Sequence, residues 1–461
     1  MVGGLGKKVL LLHCPGDKVY LHDYYTSYSS KANYYWPPSD LVLLSGMLDG
    51  FDLAVLDAIA ERLTPEETER RILDFKPDAV VFTTGTATWE NDRRFLEGLK
   101  SKLPCRLIGS GSVFLFEAET LLGQAPFLDA LILDLVSPEI ATFIEGAPGP
   151  FKTLVLPGRP VPDPMPGWPK QQDFSLPLPR QDLFQHARNR SPLARRRPFA
   201  LVVTSIGCPY SCRFCVAGSI PYRRRAVESV LEELRLLRSL GIREIMFNDP
   251  TFTVSHKRIA DLCGRMTAEG LDFGWTANGH VATLSDDTVA ILRKAGCHTL
   301  MIGVESARDE ILALYAKGST RAKVAEAFRT CKRHKIKTLA YFIIGLPGET
   351  RESTLETIKL AKELDCDFAS FTVPTPDIGS KMRQDAIAKG WLSRETLTFD
   401  STEFPVFASD SLSAQEIWEL RQKAVRSFYL RPSYLIKKVL GIRSVRDFLF
   451  LLDQARAMFV K

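Results

Sequence analysis

The sequence has little that would place the protein within a membrane or outside the cell. No run of eighteen apolar residues occurs among its 461, and the first apolar stretch, within MVGGLGKKVLLLHCPGD, is only four residues long. The first absence argues against a membrane-spanning helix, and the second argues against a secretory signal peptide. Nine cysteines, an odd number, then favour thiols and metal ligands over a disulfide framework. We therefore expect a cytoplasmic protein.

Charge of one sign is also not in large excess. The chain has 60 basic and 54 acidic residues, a net charge of +6, and this balance does not by itself indicate a nucleic-acid partner. The basic residues gather near the end, because residues 421–461 contain ten Lys or Arg and only two Asp. This tail could make a peripheral membrane contact or bind an anionic substrate, although a solvated basic face packed on the rest of the protein is the commoner arrangement.

An alternation of apolar and helical segments predicts an α/β architecture for residues 1–145. Five sequences typical of buried strands, KKVLLLH, FDLAVLDAI, PDAVVFTTG, CRLIGSGS and LDALILDL, are separated by helical patterns. This order indicates a small doubly wound parallel sheet, a Rossmann-like domain that binds ligands beyond the carboxyl ends of its strands. Residues 146–198 are predicted to be a proline-rich linker. Ten prolines lie between positions 148 and 179, so we expect no regular element to persist there.

Residues 199–380 repeat a strand and a helix about six times. The strand sequences are FALVVTS, EIMFND, DFGWTANG, TLMIGVES, TLAYFIIGL and FASFTVPTP. One intervening helix has a single apolar stripe, which consists of Val227, Val230, Leu231, Leu234 and Leu237. Six units are too few for a closed eight-stranded barrel but suit a partial (β/α)6 barrel. Residues 381–461 are predicted to form a helical C-terminal region.

Three cysteines stand close together in SIGCPYSCRFCVAG, residues 205–218. They are Cys208, Cys212 and Cys215. A closed zinc site needs four ligands, usually as two pairs, and the sequence has no second CxxC. An iron–sulfur cluster normally takes four cysteines, so the CxxxCxxC triplet would leave one iron open for chemistry. Burial of three unliganded thiols is the remaining alternative.

The CxxxCxxC triplet after the first strand of a partial barrel resembles the signature of the radical S-adenosylmethionine (SAM) superfamily. The resemblance implies that Cys208, Cys212 and Cys215 bind a [4Fe–4S] cluster whose fourth iron is chelated by SAM. An external electron donor such as flavodoxin or ferredoxin would reduce the cluster. SAM would then be cleaved to a 5′-deoxyadenosyl radical.

Other strand ends match the same family pattern. The resemblance implies that an aromatic residue before the third cysteine packs near adenine, that the second and fourth strands end at the polar parts of SAM, and that IIGLPGE contacts adenine. After the third strand, where many relatives have an arginine, this chain has NGHVATL. A histidine there can donate a hydrogen bond but lacks the bidentate fork of arginine. The residues expected at SAM are Phe214, Asn248, Asp249, Asn278, His280, Glu305, Ser306, Ile344 and Gly345.

The N-terminal region resembles that of a subclass with a cobalamin-binding domain, which includes carbon methylases and anaerobic magnesium-protoporphyrin monomethyl ester oxidative cyclases. The likeness lies in YYWPPSDLVLLSGMLDGFDLAVLDA, GSGSVFLFEAETL, PYRRRAVESVLEEL and FYLRPSYL. The cobalt-binding motif DxHxxG is absent, and His13 and His22 do not fit it. The resemblance then implies cobalamin bound by small strand-end residues, which are Thr84, Gly85, Thr86, Gly109, Ser110 and Gly111. A degenerate domain kept for packing or substrate binding is the alternative.

Together these features favour an enzyme that abstracts hydrogen from an unactivated carbon, with cobalamin-assisted methylation or oxidative cyclisation. The alternatives are a radical SAM enzyme without cobalamin, such as a methylthiolating RNA-modifying enzyme, and a non-catalytic iron–sulfur or zinc scaffold. RNA-modifying relatives carry three further cluster cysteines near the N-terminus, where this chain has only Cys14 and Cys105.

The substrate is expected to be a small molecule, and nucleic acid is not expected. A lipid or a tetrapyrrole with acidic groups would suit the basic tail and a set of N-terminal aromatic residues, although such aromatics more often form core or a domain interface. These residues are Tyr20, Tyr24, Tyr25, Tyr28, Tyr34, Tyr35 and Trp36.

Overall fold

The protein is built around two six-stranded sheets. Its structure is a computed structural model that describes residues 6–162 and 173–440. The N-terminal region builds the first sheet and a hairpin. Its strands are β1 (Lys8–His13), β2 (Tyr20–His22), β3 (Ser27–Ser29), β4 (Asp52–Asp57), β5 (Ala79–Thr83), β6 (Arg106–Ser110), β7 (Ala130–Ile132) and β8 (Leu154–Val155). Its helices are α1 (Ser39–Met47), α2 (Ala58–Glu61), α3 (Pro65–Phe75), α4 (Trp89–Lys100), α5 (Val113–Gln124) and α6 (Glu139–Glu145).

The first sheet has the strand order β4-β1-β5-β6-β7-β8 and is parallel except for β8. The chain runs outward from β1 to β4 and then crosses to β5, so the direction of winding reverses beside β1. Sheets of this kind bind ligands at the carboxyl ends of the strands next to the reversal. The predicted Rossmann-like sheet is confirmed, and its ligand edge lies at the ends of β1 and β5.

Both faces of this sheet are covered by other parts of the chain. Along β1, Val9 and Leu11 pack into one core, while Leu10 and Leu12 pack into another on the opposite face. Successive side chains of a strand point to opposite faces, so a strand covered on both sides is apolar at every position. This explains the uninterrupted apolar run in KKVLLLH.

The proline-rich segment 146–198 contains short strands where none was expected. β8 pairs antiparallel with β7, and β9 (Asp173–Phe174) joins a separate small sheet. Both two-residue strands lie in stretches without proline, so their backbone N–H groups remain available for pairing. Leu176 and Phe184 are buried, so the described part of this segment is packed against the protein.

The second six-stranded sheet and the small sheet follow. Their strands are β10 (Ala200–Val202), β11 (Ser205–Ile206), β12 (Arg223–Arg225), β13 (Glu244–Phe247), β14 (Gly274–Gly279), β15 (Cys297–Glu305), β16 (Lys337–Ile343) and β17 (Phe368–Thr372). The accompanying helices are α7 (Val227–Ser239), α8 (His256–Ala268), α9 (Asp286–Lys294), α10 (Asp309–Leu314), α11 (Arg321–Arg333) and α12 (Arg351–Glu363).

The second sheet is parallel and follows chain order, β10-β13-β14-β15-β16-β17, with β10 and β17 at its two edges. Helices cover its outer face. On α7 the predicted stripe is buried at Val230, Leu231, Leu234 and Leu237. The predicted partial (β/α)6 barrel is confirmed, and the carboxyl ends of all six strands meet at one mouth.

The described part of the C-terminal region contains the predicted helices, α13 (Lys381–Ala388), α14 (Ala414–Tyr429) and α15 (Pro432–Leu440), but residues 389–413 between the first two are irregular. α14 packs against β17 and α12. Within the two described ranges, no helix has the length and apolar content needed to cross a membrane. The part of the basic tail beyond position 440 lies outside the described residues, so membrane contact through that tail stays a prediction.

Candidate active site

The three clustered cysteines lie on a loop that a β-ribbon closes at its base. β11 before the loop and β12 after it pair antiparallel, with Ser205 opposite Arg224. Gly207 enters the loop with a φ of 74°, and an added Cβ there would lie 2.4 Å from the carbonyl oxygen of Pro221. Glycine suits such a left-handed and crowded position because it has no Cβ. The loop is therefore fixed at the barrel mouth, just beyond β10.

The carboxylate of Asp249, beyond β13, holds the start of this loop. It accepts hydrogen bonds from the backbone N–H groups of Thr204 (2.6 Å) and Ser205 (3.1 Å) and from the Thr204 hydroxyl (2.5 Å). The Asn278 side chain donates to the Asp249 backbone carbonyl (2.8 Å). Sequence reasoning expected Asp249 and Asn278 at SAM, whereas the structure engages both in tying strand ends together. Asn248 is half-buried beside them.

The three loop thiols are less buried than the other six cysteines. Cys208, Cys212 and Cys215 are half-buried, and all the others are buried. Burial raises the pKa of Cys215 to about 12 and also raises that of Cys212, so their ionised forms need a positive partner. In residues 6–162 and 173–440, no three His, Cys, Asp or Glu side chains are placed to hold a single metal ion. Iron–sulfur clusters are held by cysteine thiolates, which is the type of side chain that this loop presents three times.

A buried ion pair that sequence reasoning missed lies beside the cysteines. Lys317 Nζ is 2.9 Å from Glu305 Oε1, and the two side chains are 9% and 8% exposed. Burial disfavours the ammonium, but Glu305 and Cys212 outweigh it, and the pKa of Lys317 is raised. Lys317 Nζ also lies 5.8 Å from the centre of the Phe214 ring. The Lys317 ammonium therefore lies close to Glu305 and to Phe214 of the cysteine loop, two of the residues predicted at SAM.

Glu305 itself has an unusual backbone. Its φ is 66°, a left-handed value rare outside glycine, and the pairing of β15 with β16 shifts register between Gly303 and Glu305. Backbone strain of this kind is commonly found at functional sites and costs about 1–3 kcal/mol. The bulge directs a carboxylate from a strand end toward Lys317.

His280 is held inside the protein by both of its ring nitrogens. Nδ1 accepts a hydrogen bond from the Ala282 N–H (3.3 Å), and Nε2 donates to the Lys317 carbonyl (3.1 Å). Burial and the Lys317 charge lower the pKa of His280 to about 4. Its ring stacks on Tyr210 of the cysteine loop, with centroids 3.9 Å apart. His280 therefore supports the loop, whereas the sequence placed it among the residues expected at SAM.

The remaining predicted SAM residues form a buried layer behind the mouth. The Ser306 hydroxyl donates to Glu349 Oε1 (2.6 Å), and burial raises the pKa of Glu349 to about 7. Ile344 is fully buried in the barrel core. Gly345 has a φ of 80°, and an added Cβ would lie 2.8 Å from Ile417 of α14. The C-terminal helix thus covers the segment expected at adenine.

A small pocket lies between the ligand edge of the N-terminal sheet and the barrel. Of the six residues predicted at cobalamin, Thr84, Gly85 and Thr86 line it. Gly109 packs against Phe114, and Ser110 donates to Asp40 (2.9 Å), so both lie below the cavity. An added Cβ on Gly111 would lie 2.3 Å from the Thr84 carbonyl oxygen, so this glycine lets the two loops approach. The other lining residues are Asp23, Tyr25, Thr26, Ser112, Val113, Asp377 and Ile378.

The chemical groups that line this pocket suit a corrinoid, but the pocket is too small for one. Hydroxyl and carboxyl groups can bond the amide side chains of a corrin ring. Pockets for drug-sized ligands measure about 300–1,000 Å³, and a corrinoid is larger than such ligands. The pocket at Thr84 is much smaller than that, so as described it does not hold a corrin ring.

His13 and His22 are fully engaged beneath this cavity. His13 Nδ1 lies 3.1 Å from both Tyr35 Oη and Asp57 Oδ1, and His13 Nε2 lies 2.8 Å from His22 Nδ1. His22 Nε2 lies 2.8 Å from the Thr88 hydroxyl. All four ring nitrogens thus have protein partners, so neither histidine presents a free nitrogen to a metal.

Several of the N-terminal aromatic residues form a domain interface. The Gly207 N–H, next to Cys208, donates to Tyr25 Oη (2.8 Å). Tyr24 Oη donates to the Leu133 carbonyl (2.9 Å). The hairpin that carries these tyrosines therefore connects the first sheet directly to the cysteine loop.

Comparison with known proteins agrees with this arrangement. Residues 202–361 match the family model of the Radical SAM superfamily. An uncharacterized methyltransferase of Pyrococcus horikoshii is 33% identical over 424 residues, which cover 87% of this chain and 90% of that protein. The anaerobic magnesium-protoporphyrin IX monomethyl ester cyclase of Rubrivivax gelatinosus is 24% identical over 90% of this chain and 78% of its own length.

A solved structure shares the fold across both sheets. The radical S-adenosylmethionine methyltransferase TsrM from Kitasatospora setae, with cobalamin and a [4Fe-4S] cluster bound, has a TM-score of 0.63 at 19% identity. The match covers 85% of this chain and 79% of that one. The Rossmann-like sheet and the partial barrel with its CxxxCxxC loop are thus joined in one chain. The chain belongs to the radical SAM superfamily, as its cysteine motif predicted.

Proposed function

We propose that this chain is a radical SAM enzyme that removes a hydrogen atom from an unactivated carbon of a small molecule and then methylates or cyclises the product with the help of a corrinoid. The observation that carries the proposal is the cysteine loop, clamped by Asp249 and Gly207 beside the Lys317–Glu305 pair. Membership of the superfamily and the names of the two relatives support the reaction class.

The residues at the mouth have separable tasks. Cys208, Cys212 and Cys215 would ligate three irons of a [4Fe–4S] cluster, and SAM would occupy the fourth. Lys317 would bind the SAM carboxylate, a task for which His280 has no free nitrogen. Phe214 would pack against the adenine. When bound, cluster and SAM supply the 5′-deoxyadenosyl radical, and the protein holds them in place and excludes water and oxygen.

SAM cleavage tests this assignment directly. Protein reconstituted anaerobically with iron and sulfide, and then reduced, is expected to form 5′-deoxyadenosine from SAM, detected by chromatography. We infer a flavodoxin or ferredoxin as the natural donor and a cytoplasmic location, which agree with the nine free cysteines. Absence of 5′-deoxyadenosine from protein with a complete cluster would contradict the proposal.

Corrinoid binding needs its own test. The position of Thr84, Gly85 and Thr86 at the ligand edge of the sheet supports it, and so does the cobalamin named in the TsrM structure. Protein reconstituted with hydroxocobalamin and passed over a desalting column is expected to retain corrinoid absorption bands as well as those of the cluster. A cluster without retained corrinoid would remove the methyl-transfer part and leave radical chemistry alone.

A further inference from the structure

Two cations from distant parts of the chain meet at the open edge of the barrel. Lys31 follows the hairpin strand β3, and Arg421 lies on α14. Lys31 Nζ (3.5 Å) and Arg421 Nε (3.4 Å) both donate to the backbone carbonyl oxygen of Phe371 in the edge strand β17. Two like charges that share one neutral acceptor repel each other and gain from a nearby anion.

Within residues 6–162 and 173–440, neither cation has a carboxylate in ion-pair contact. Burial and the charge of Arg421 lower the pKa of Lys31 to about 7, and burial lowers that of Arg421. Asp400 acts on Lys31 through space, but it accepts hydrogen bonds from the backbone N–H groups of Ser29 (3.0 Å) and Thr402 (2.9 Å). When Lys31 is protonated, the three groups together carry a formal charge of +1, which matches one carboxylate; a bound carboxylate would in turn favour the protonated amine.

The surroundings suit a partly apolar molecule. Arg421 Cζ lies 4.9 Å from the centre of the Trp418 ring, which holds the guanidinium in place. Tyr34 stacks on Trp36 with ring centres 5.4 Å apart, next to the hairpin that carries Lys31. Aromatic rings beside a cation favour ligands that combine an apolar body with an acidic group.

This edge lies on the same face of the barrel as the cysteine site. Tyr341 of β16 packs against the same apolar cluster as Trp36, and burial followed by Tyr34 and Glu305 raises its pKa. Tyr341 thus lies near both Glu305 and the aromatic residues that follow Lys31. A molecule anchored at Lys31 would extend past Tyr341 toward SAM.

We propose that Lys31 and Arg421 form a binding site for a carboxylate of the substrate. The inference rests on the proposed function, which it extends by naming an acidic, partly apolar substrate. The site would fix the end of the molecule remote from the reacting carbon. Its binding energy would position that carbon at the barrel mouth.

Chemical protection of Lys31 tests the proposal in the reconstituted full-length protein. The amine of Lys31 is acetylated with a water-soluble activated ester at pH 8, and modification is followed by peptide mass spectrometry. Two matched probe pairs are used, indole-3-propionate with its amide and protoporphyrin IX with its dimethyl ester. A carboxylate bound by charge-assisted hydrogen bonds should slow acetylation of Lys31 about tenfold, whereas the uncharged partners should not.

Controls lie on the same helix. Arg421→Met should abolish the protection, whereas Arg426→Met, at an exposed position of α14, should preserve it. Acetylation of the exposed Lys423 should not respond to any probe. The proposal is wrong if neither carboxylate protects Lys31, if the amide and ester protect equally well, or if Arg421→Met retains full protection.

The same preparations separate this proposal from the proposed function. SAM cleavage by the unmodified protein is measured in parallel. Protection of Lys31 without 5′-deoxyadenosine would preserve the carboxylate site and remove the radical reaction. Cleavage of SAM without protection of Lys31 would preserve the radical reaction and remove the carboxylate site.

Discussion

The barrel mouth and the ligand edge of the N-terminal sheet deal with buried charge in different ways. At the mouth, Glu305 is paired with Lys317, and Asp249 accepts three hydrogen bonds. At the N-terminal edge, the cavity carboxyls Asp23 and Asp377 are half-buried, and burial followed by repulsion from Asp23 raises the pKa of Asp377. The mouth is thus already arranged for its cofactors, whereas the N-terminal cavity keeps unfavourable charge that a polar ligand could relieve.

Loss of one thiol of the cysteine loop should have the largest effect on the barrel mouth. Cys212→Ala removes a ligand of the cluster, so the variant should form little cluster and its SAM cleavage should fall to background. Iron content, cluster absorption and 5′-deoxyadenosine are measured after anaerobic reconstitution.

A buried cysteine of the barrel provides the matched control. Cys331 of α11 is fully buried, away from the loop, so Cys331→Ala should keep the cluster and lose about 1 kcal/mol of stability through lost packing. If Cys212→Ala retained full cluster content, the loop would not be the cluster site.

The two regions also differ in how far the sequence predicted them. The CxxxCxxC triplet is local in sequence, so its motif identified the loop and the barrel around it. Lys317 was missed because lysines are usually exposed and its partner, Glu305, lies on a different element. Asp249 and His280 were expected at SAM, which stays a prediction, and the sequence could not show that backbone groups of the chain already hydrogen-bond to both side chains.

The N-terminal cavity was predicted less completely for a related reason. Thr84, Gly85 and Thr86 follow a strand and were found from that position, but the cavity wall also includes Asp377 from beyond β17. A wall assembled from segments almost three hundred positions apart has no local pattern. The sequence therefore predicts the sheets and their edges, whereas the contacts between the domains are seen only in the three-dimensional structure.

Removal of Lys317 should have the next largest effect, on the mouth alone. Lys317→Met leaves Glu305 buried without its partner, which should lower the free energy of unfolding by about 3–5 kcal/mol. Adding Glu305→Gln removes the unpaired charge and should restore most of that loss without restoring SAM binding. Urea unfolding and SAM binding are measured for both variants.

An exposed ion pair provides the control for the Lys317 variants. Lys332→Met breaks an ion pair with Asp365 in which the lysine is 73% exposed, so it should change stability by less than about 1 kcal/mol. If the double variant were no more stable than Lys317→Met, the pair would not explain the loss.

The pH dependence of stability should reveal the charge kept at the N-terminal edge. Burial, followed by repulsion from Asp23, raises the pKa of Asp377 to about 7. The folded protein therefore binds this proton more tightly than the unfolded chain, and the resulting stabilisation is lost as pH rises through 7. Between pH 5 and 8, wild type should lose roughly 2 kcal/mol more stability than Asp377→Asn.

Urea unfolding at the two pH values measures this difference. Asp287→Asn, at an exposed carboxyl of α9, should behave as wild type does. Equal pH dependence in wild type and Asp377→Asn would mean that the cavity carboxyl does not carry the effect, and the contrast between the two regions would be lost.

The smallest effect is expected from the histidines below the cavity. His22 lies 3% exposed between His13 and Thr88, and burial followed by the His13 charge lowers its pKa, so it is a neutral link in a hydrogen-bond chain. His22→Gln keeps part of that bonding and should cost about 1–2 kcal/mol of unfolding free energy. Because neither His13 nor His22 has a free ring nitrogen, the electron paramagnetic resonance spectrum of bound cob(II)alamin should be the same in both proteins. Nitrogen splitting from a protein imidazole in wild type, lost in His22→Gln, would show that the chain opens to ligate cobalt.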